Sequence, residues 1–181
     1  MGAASGRKKP SPLPFPVRVP FVDSLGIELH AYADGQAEIW VDLDAAHLNT
    51  WDVAHGGVVM TMLDVAMALA ARSGSSHSGG VATIEMKTSF LRPAEHRLRA
   101  VGKLLHKTSA LAFCEAALFD DRGQQCASAS GTFKYLRGLL PSRGRSASRQ
   151  AEAAAPAQPQ PNPEPNPNPA VSADTKEDQT P

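Results

Sequence analysis

The chain of 181 residues contains equal numbers of basic and acidic side chains, 18 of each, and 42% of its residues are hydrophobic. This length and composition fit one domain of ordinary size together with additional chain that need not fold. Because the charge is balanced, the sequence offers neither a basic footprint for nucleic acid nor an acidic one for cations, and it predicts no nucleic-acid partner.

The N-terminus and the cysteines predict the cellular compartment. The basic triplet Arg7-Lys8-Lys9 is followed by closely spaced prolines instead of the apolar run of a signal peptide, so a cytoplasmic location is expected. Residues 1–20 are predicted to form a proline-rich flexible segment. Cys114 and Cys126 lie in strand-like stretches and are expected to be reduced core thiols, with a cross-strand disulfide as the alternative.

The folded domain is predicted to extend over residues 21–137 and to open with a β-hairpin. Apolar residues alternate with polar ones on both sides of Asp34-Gly35, from Ile27 to Ala31 and again from Ala37 to Val41. An Asp-Gly pair between two such stretches is the strongest short hairpin signal, so two antiparallel strands are expected here.

A long apolar helix is predicted after a loop at residues 44–56. Four apolar residues recur at helical spacing and have a second apolar row beside them: Val58, Met62, Val65 and Leu69. The pattern ends at Arg72-Ser73-Gly74, and the helix is expected to be buried on nearly all sides. The apolar run 58–71 contains Asp64 and is shorter than the ~20 residues of a membrane span, so no membrane segment is predicted.

Strand-like stretches follow the helix, at residues 83–91, 98–107, 111–120 and 125–135. Together with the hairpin they supply enough antiparallel sheet to wrap one hydrophobic helix. The predicted fold class is therefore α+β, a single hotdog domain in which a curved antiparallel sheet surrounds one long hydrophobic helix.

The composition changes after residue 137. Residues 138–181 contain arginines among serines, an alanine run, and then prolines at every second position. Such a segment buries too little apolar surface to offset its ordering entropy. It is predicted to be a disordered Pro/Ala-rich tail.

Asp64 is the first candidate for chemistry, because no other ionisable side chain occurs between His55 and Arg72. Apolar surroundings desolvate a carboxylate, which raises its pKa and makes it a stronger base than a surface aspartate. The alternative is a structural role, in which Asp64 faces a solvent stripe with Thr61 and Ala68 or pairs with a distant cation.

The start of the helix is a candidate site for a carbonyl oxygen. Gly56 and Gly57 leave backbone N–H groups accessible, and the helix dipole places partial positive charge there. The amide of Asn49, in the preceding loop, can donate a second hydrogen bond or orient an attacking water. As alternatives, Asn49 acts only as a turn former and His55 only as a packed loop histidine.

Together, Asn49, His55-Gly56-Gly57 and Asp64 resemble the motif of the PaaI-like branch of the hotdog thioesterases, the phenylacetate-degradation type of acyl-CoA hydrolase. In that motif an asparagine lies in the loop, His-Gly-Gly stands at the helix entrance, and an aspartate follows eight residues after the first glycine. The likeness extends from about Leu25 to Tyr135 and includes Phe90-Leu91-Arg92-Pro93-Ala94 after a strand.

The resemblance implies an enzyme that hydrolyses acyl-CoA thioesters at a site across a homodimer interface, in a dimer or a dimer of dimers, without cofactor or metal. The Gly56 N–H and Asn49 would hold the thioester carbonyl, with Gly57 beside them. Asp64 of the partner subunit would activate water or attack directly. Thr83, on the following strand, takes the place of a serine or threonine that the family often adds near the aspartate.

Further substrate contacts are predicted at strand ends and on the helix. CoA carries phosphates, and the resemblance places cations near the pocket mouth at Arg92, His106 and Lys107, each of which is otherwise a solvated strand-end charge. Four methionines are candidates for the wall of an acyl tunnel, with plain core packing as the alternative: Met60, Met62, Met67 and Met86.

Two other functions stay open on the sequence. A hydratase or dehydratase of the same fold would pair His55 with Asp64 to move a proton and a hydroxyl. A non-catalytic acyl-CoA-binding scaffold would keep the pocket without turnover. The asparagine, the glycine pair and the absence of a helix glutamate favour hydrolysis over hydration, and the retained aspartate argues against a scaffold.

Overall fold

A computed structural model describes residues 11–75 and 79–136, all of which belong to one compact unit, Met1–Pro141. The predicted tail, residues 138–181, lies outside the described residues. The elements in chain order are α1 (Pro20–Ser24), β1 (Glu28–Ala33), β2 (Gln36–Asp42), a 3-10 turn (Ala45–His47), α2 (Gly56–Ser73), β3 (Val81–Phe90), β4 (Arg97–Lys107), β5 (Leu111–Phe119) and β6 (Gln125–Tyr135).

The six strands form one antiparallel sheet in the order β1-β2-β4-β5-β6-β3, so β1 and β3 are the edge strands. Helix α2 packs against one face of this sheet and contacts every strand. This arrangement confirms the predicted fold class, a curved antiparallel sheet around one long hydrophobic helix.

The hairpin has the predicted turn and the two predicted antiparallel strands. Asp34 and Gly35 take positive φ angles of 50° and 78°, which a tight hairpin turn requires. A bulge between Leu29 and Ala31 shifts the pairing with β2. At this bulge Leu29 and His30 are both buried and Ala31 is exposed, so the simple alternation of the sequence is interrupted.

Close packing of α2 on β4 depends on one glycine. A Cβ atom at Gly102 would lie 2.2 Å from the carbonyl oxygen of Ala66, so any other residue would push the helix away from the strand. Around this contact Met62, Leu63 and Met67 are fully buried. The two cysteines are free and buried, as predicted, and burial raises the pKa of the Cys114 thiol to about 11.

One face of α2 is not covered by the sheet, so the expectation of burial on nearly all sides was wrong. Its residues recur at three- and four-residue spacing and are exposed or half-buried: Gly57, Met60, Thr61, Asp64, Val65 and Ala68. With 18 residues and a mean hydropathy of 1.3, α2 is also longer than the predicted apolar run, and by length and composition alone it could cross a membrane. Its packing on the sheet accounts for this apolar character, because the core helix of a globular domain has the same composition.

Residues 11–19, called the N-terminal strap below, lie along the domain, and the flexibility predicted for residues 1–20 stays a prediction. The Leu13 N–H donates to the Leu29 carbonyl oxygen at 2.7 Å, and Phe15 packs against the hydrophobic core. The strap then enters α1, in which Val22 is buried. Phe15 and Val17 are half-buried in the strap, whereas Leu13 and Val19 stay 44% and 39% exposed.

Candidate active site

Asn49 lies in the loop before α2 with its amide oriented by the loop itself. Its Oδ1 accepts the Trp51 N–H at 2.9 Å, and its backbone carbonyl accepts the Asp52 N–H at 3.1 Å. Because Oδ1 already has this partner, the Nδ2 group is left to donate to another molecule. Asn49 is therefore both a turn former and a possible donor, and the two roles predicted for it are compatible.

His55 caps α2. Its Nδ1 accepts the Gly57 N–H at 2.9 Å, while its backbone carbonyl accepts the N–H groups of Val58 and Val59. A neutral imidazole whose Nδ1 accepts a hydrogen bond carries its proton on Nε2. The ring thus organises the first helical turn, and its remaining nitrogen is a donor.

The cap leaves the N–H of Gly56 without an acceptor among the described residues. Gly56 and Asn49 line the same wide depression at the helix start, together with Trp51, whose side chain is 80% exposed. The Phe90 ring adjoins this point, since a Cβ atom at Gly56 would lie 3.6 Å from it. An N–H at a helix N-terminus and a side-chain amide beside it form a site suited to a polarised carbonyl oxygen.

Asp64 lies eight residues further along, on the uncovered face of α2. Thr83 of β3 donates its hydroxyl to Asp64 Oδ1 at 2.8 Å. Burial raises the pKa of Asp64 above its ordinary value of 3.8, and the Thr83 hydrogen bond opposes that rise. Both predictions for Asp64 thus hold in part. It lies on the uncovered stripe of the helix with Thr61 and Ala68, and its carboxylate is nevertheless partly desolvated.

The carbonyl donors and the acid do not meet within one subunit. Eight residues of helix separate Gly56 from Asp64, which corresponds to about 12 Å along the axis. A thioester carbon has to lie about 3 Å from both an attacking water and the oxyanion donors. Within one chain, Gly56 with Asn49 and Asp64 with Thr83 therefore form two separate groups of polar atoms.

Comparison with known proteins shows which family the chain is similar to. The sequence profile of the thioesterase superfamily matches residues 52–127, a range that contains His55, Gly56 and Asp64. Over this range the chain is similar to the thioesterase superfamily. It is 25% identical over 135 residues to the medium/long-chain acyl-CoA thioesterase YigI of Salmonella typhimurium, covering 66% of this chain and 87% of that one.

Solved structures agree with this assignment. A thioesterase family protein from Silicibacter pomeroyi shares 29% identity and a TM-score of 0.62, covering 66% of this chain and 91% of that chain. The PaaI protein of E. coli superimposes with a TM-score of 0.61 at 21% identity, over 66% and 86% of the two chains, and shares the fold. The predicted family and the prediction of a thioester hydrolase are confirmed.

The predicted cationic contacts of this thioesterase lie at opposite ends of the domain. Arg92 is near the helix start, because the Ala54 N–H donates to the Ala94 carbonyl two residues further on. His106 stacks on Phe113, with 6.1 Å between ring centroids. Lys107 donates to the Gly74 carbonyl oxygen, about 27 Å from Gly56 along the α2 axis. Of the three, Arg92 lies in the chain segment nearest the helix start, and its guanidinium donates to the Gln125 carbonyl oxygen at 2.9 Å.

An apolar cavity of about 400 Å³ adjoins Asp64 and Thr83, and the sequence analysis missed it. Its walls come from α2, from the start of β3 and from the N-terminal strap. The methionines considered for an acyl tunnel are not part of it, and Met62 and Met67 lie in the core. The signal in the sequence was the series of apolar residues between the prolines of the strap: Leu13, Phe15, Val17 and Val19.

Proposed function

We propose that this thioesterase hydrolyses acyl-CoA thioesters in the cytoplasm, without a cofactor. The observation that carries the proposal is the half-buried Asp64 carboxylate, held by Thr83 beside an apolar cavity. The cavity suits the acyl part of a thioester and the carboxylate suits activation of water. YigI, a relative known as a medium/long-chain acyl-CoA thioesterase, supports CoA as the thiol, and Arg92 is the cation best placed for its phosphates.

The proposed reaction uses one proton acceptor and two donors. Asp64 Oδ1 is occupied by Thr83, so Oδ2 accepts the proton of a water whose oxygen attacks the thioester carbon. The Gly56 N–H and Asn49 Nδ2 of the partner subunit stabilise the oxyanion. The C–S bond then breaks, the thiolate of CoA leaves and takes up a proton, and the free acid remains. Direct attack by Asp64, giving a mixed anhydride that water hydrolyses, uses the same groups.

A homodimer is proposed because one chain carries only two half-sites and has an open sheet edge. Strand β3 pairs with β6 on one side only, and apolar side chains are exposed along it and beside it. Their exposed fractions are 55% for Ile84, 55% for Phe90, 51% for Leu91 and 42% for Met60. Pairing this edge with a second copy would cover these side chains and bring the two kinds of half-site together. Pairing of two such dimers remains part of the proposal.

The rival hydratase reading requires a histidine that accepts a proton. His55 Nδ1 is already occupied by the Gly57 N–H, which leaves Nε2 as a donor. To accept a proton at Nδ1, His55 would first have to lose its hydrogen bond with the Gly57 N–H, which caps the helix. The scaffold reading gains no support either, since a desolvated carboxylate is costly to keep without a chemical role.

The proposal is tested by mixing two inactive variants. Asn49→Ala and Asp64→Ala subunits, each inactive alone, are dissociated, mixed in equal amounts and reassembled. Random pairing places one intact site in half of the dimers, so about a quarter of the parental CoA-thiol release is expected. No recovery after proven subunit exchange would confine the site to one subunit and contradict the proposed mechanism.

A further inference from the structure

The cavity beside Asp64 owes its existence to the N-terminal strap. The sheet leaves a strip of α2 uncovered between its two edges, and the strap crosses the C-terminal half of that strip. Phe15, Val17 and Val19 of the strap face the cavity whose opposite wall is Val65 and Ala68 of α2. The half of the strip that holds Gly57 and Met60 takes no part in this cavity and remains accessible.

We propose that this cavity holds the acyl chain and that Phe15 and Val17 set the longest chain that the enzyme accepts. The inference rests on the proposed acyl-CoA hydrolysis and adds the substrate class, unbranched aliphatic acyl groups, and the residues that select among them. The N-terminal strap is thus a specificity element and not a passive covering.

The shape of the cavity supports an extended chain. It runs along α2 from Asp64 to Arg72, eight residues or about 12 Å of helix axis. Its volume of about 400 Å³ lies at the lower end of the range for small-molecule sites. Asp64 and Thr83 stand at one end, so an acyl group whose thioester carbon lies at Asp64 can extend away from the CoA.

The lining of the cavity is apolar except at its two ends. Between the Asp64–Thr83 pair and Arg72, the wall consists of apolar side chains: Phe15, Val17, Val19, Val22, Val65, Ala68, Leu69, Val81 and Leu136. Arg72 is only partly buried, so its stem can complete the wall while its guanidinium stays hydrated. Such a lining favours the binding of methylene groups and offers few hydrogen-bond partners to a polar substituent.

The strap is hydrogen-bonded to its neighbours at both of its ends. At one end the Leu13 N–H bonds to the Leu29 carbonyl of β1. At the other end the strap continues into α1, where the Asp23 N–H donates to the Val19 carbonyl at 3.0 Å and Arg18 pairs with the Asp23 carboxylate at 3.0 Å. A segment held on both sides can limit chain length instead of yielding to a longer one.

The experiment measures kcat/KM by thiol release for the full-length enzyme on straight-chain acyl-CoA substrates from acetyl to palmitoyl, with phenylacetyl-CoA for comparison. For the parent, kcat/KM should rise by about fourfold for each added methylene until the cavity is full, and then fall. Phe15→Ala should raise the ratio of longest-chain to mid-chain activity by about tenfold or more. Val17→Phe should lower that ratio by a similar factor.

Leu13→Ala is the matched control, because Leu13 belongs to the strap but not to the cavity wall and bonds β1 through its backbone. It should keep the parental chain-length dependence. If Phe15→Ala fails to fold, Val17→Phe still decides, since it acts in the opposite direction. An unchanged chain-length dependence in a folded Val17→Phe enzyme that still hydrolyses acyl-CoA would overturn the inference alone. Absence of turnover by the parent on every substrate would overturn the proposed function as well.

Discussion

The two ends of α2 differ in whether their backbone groups have hydrogen-bond partners. At the C-terminal end, the Tyr135 hydroxyl donates to the Ala71 carbonyl oxygen at 3.1 Å, and Lys107 donates to the carbonyl of Gly74. At the N-terminal end, the Gly56 N–H has no acceptor in the part of the chain that the structure describes. Free backbone groups at a helix end require a partner from somewhere, so the open end is the one prepared for a ligand.

This contrast separates residues that serve the fold from residues that serve the reaction. At the C-terminal end, side chains from distant strands donate to backbone carbonyl groups. At the N-terminal end, His55 satisfies only the second N–H of the helix and leaves the first one available. Variants at the open end and at Asp64 should therefore affect rate more than stability, and variants at the closed end should do the reverse.

The largest effect is expected from Asp64→Asn. The substitution is nearly isosteric but removes the proton acceptor, so kcat should fall by about 10²-fold or more. Asp121→Asn, in an exposed turn, is the matched control and should behave like the parent. Residual activity within about tenfold of the parent would remove Asp64 from the chemistry.

The same variant also tests the raised pKa of Asp64. A carboxyl group whose pKa is higher in the folded than in the unfolded state favours folding most below its unfolded pKa, and this contribution is lost as the pH rises through the folded pKa. At neutral pH, Asp64→Asn should therefore be at least as stable as the parent, and the difference should shrink toward acid pH. Thermal unfolding at several pH values measures this, and a clearly destabilised variant at neutral pH would contradict the direction of the shift.

At the open end, Asn49→Ala should lower kcat and kcat/KM together by about 10²-fold, the usual loss for one oxyanion donor, with KM little changed. Asn49→Asp separates the two roles of the side chain, because it keeps an oxygen for the Trp51 N–H and removes the donor. It should be as inactive as Asn49→Ala but more stable. An Asn49→Asp enzyme with near-normal kcat would leave Gly56 as the only carbonyl anchor.

A smaller effect is expected from Thr83→Val, which keeps the shape of the side chain and removes the hydroxyl. The hydrogen bond from Thr83 lowers the pKa of Asp64, so its loss should raise that pKa further. The acid limb of the kcat/KM dependence on pH should move to higher pH, with little change on the alkaline side. Thr83→Ser retains the hydroxyl donor, so its acid limb should lie at the same pH as that of the parent. If the acid limb moves equally in both variants, the cause is a change in packing and not the lost hydrogen bond.

The smallest effect on rate belongs to the closed end. Tyr135→Phe leaves the Ala71 carbonyl without its side-chain donor and should cost about 1 kcal/mol of stability, which is roughly 3–5 °C in Tm. The kcat value should not change. Tyr32→Phe is the control, since no hydrogen bond of its hydroxyl occurs within the described residues. A lower kcat in Tyr135→Phe without a change in Tm would contradict the claim that the C-terminal end of α2 serves stability and not the reaction.

The sequence by itself determined the elements, because their signals are local. The Asp34-Gly35 turn, the start of α2 at Gly56 and the bounds of β6 follow from residues that are neighbours along the chain. Apolar spacing of three to four residues or of two indicates whether a segment is a helix or a strand. The order Asn49, His55-Gly56-Gly57, Asp64 was also sufficient to indicate the family, which the comparisons confirm.

Only the tertiary structure decided which distant groups meet. Thr83 reaches Asp64 across 19 residues of chain, and the strap returns over α2 to form the wall of a cavity. No local pattern specifies such contacts, because they depend on how the sheet curves and on which part of the helix it leaves uncovered. The bulge that buries His30 shows the same limit on a smaller scale, since one extra residue in a strand reverses the inward and outward positions that alternation predicts.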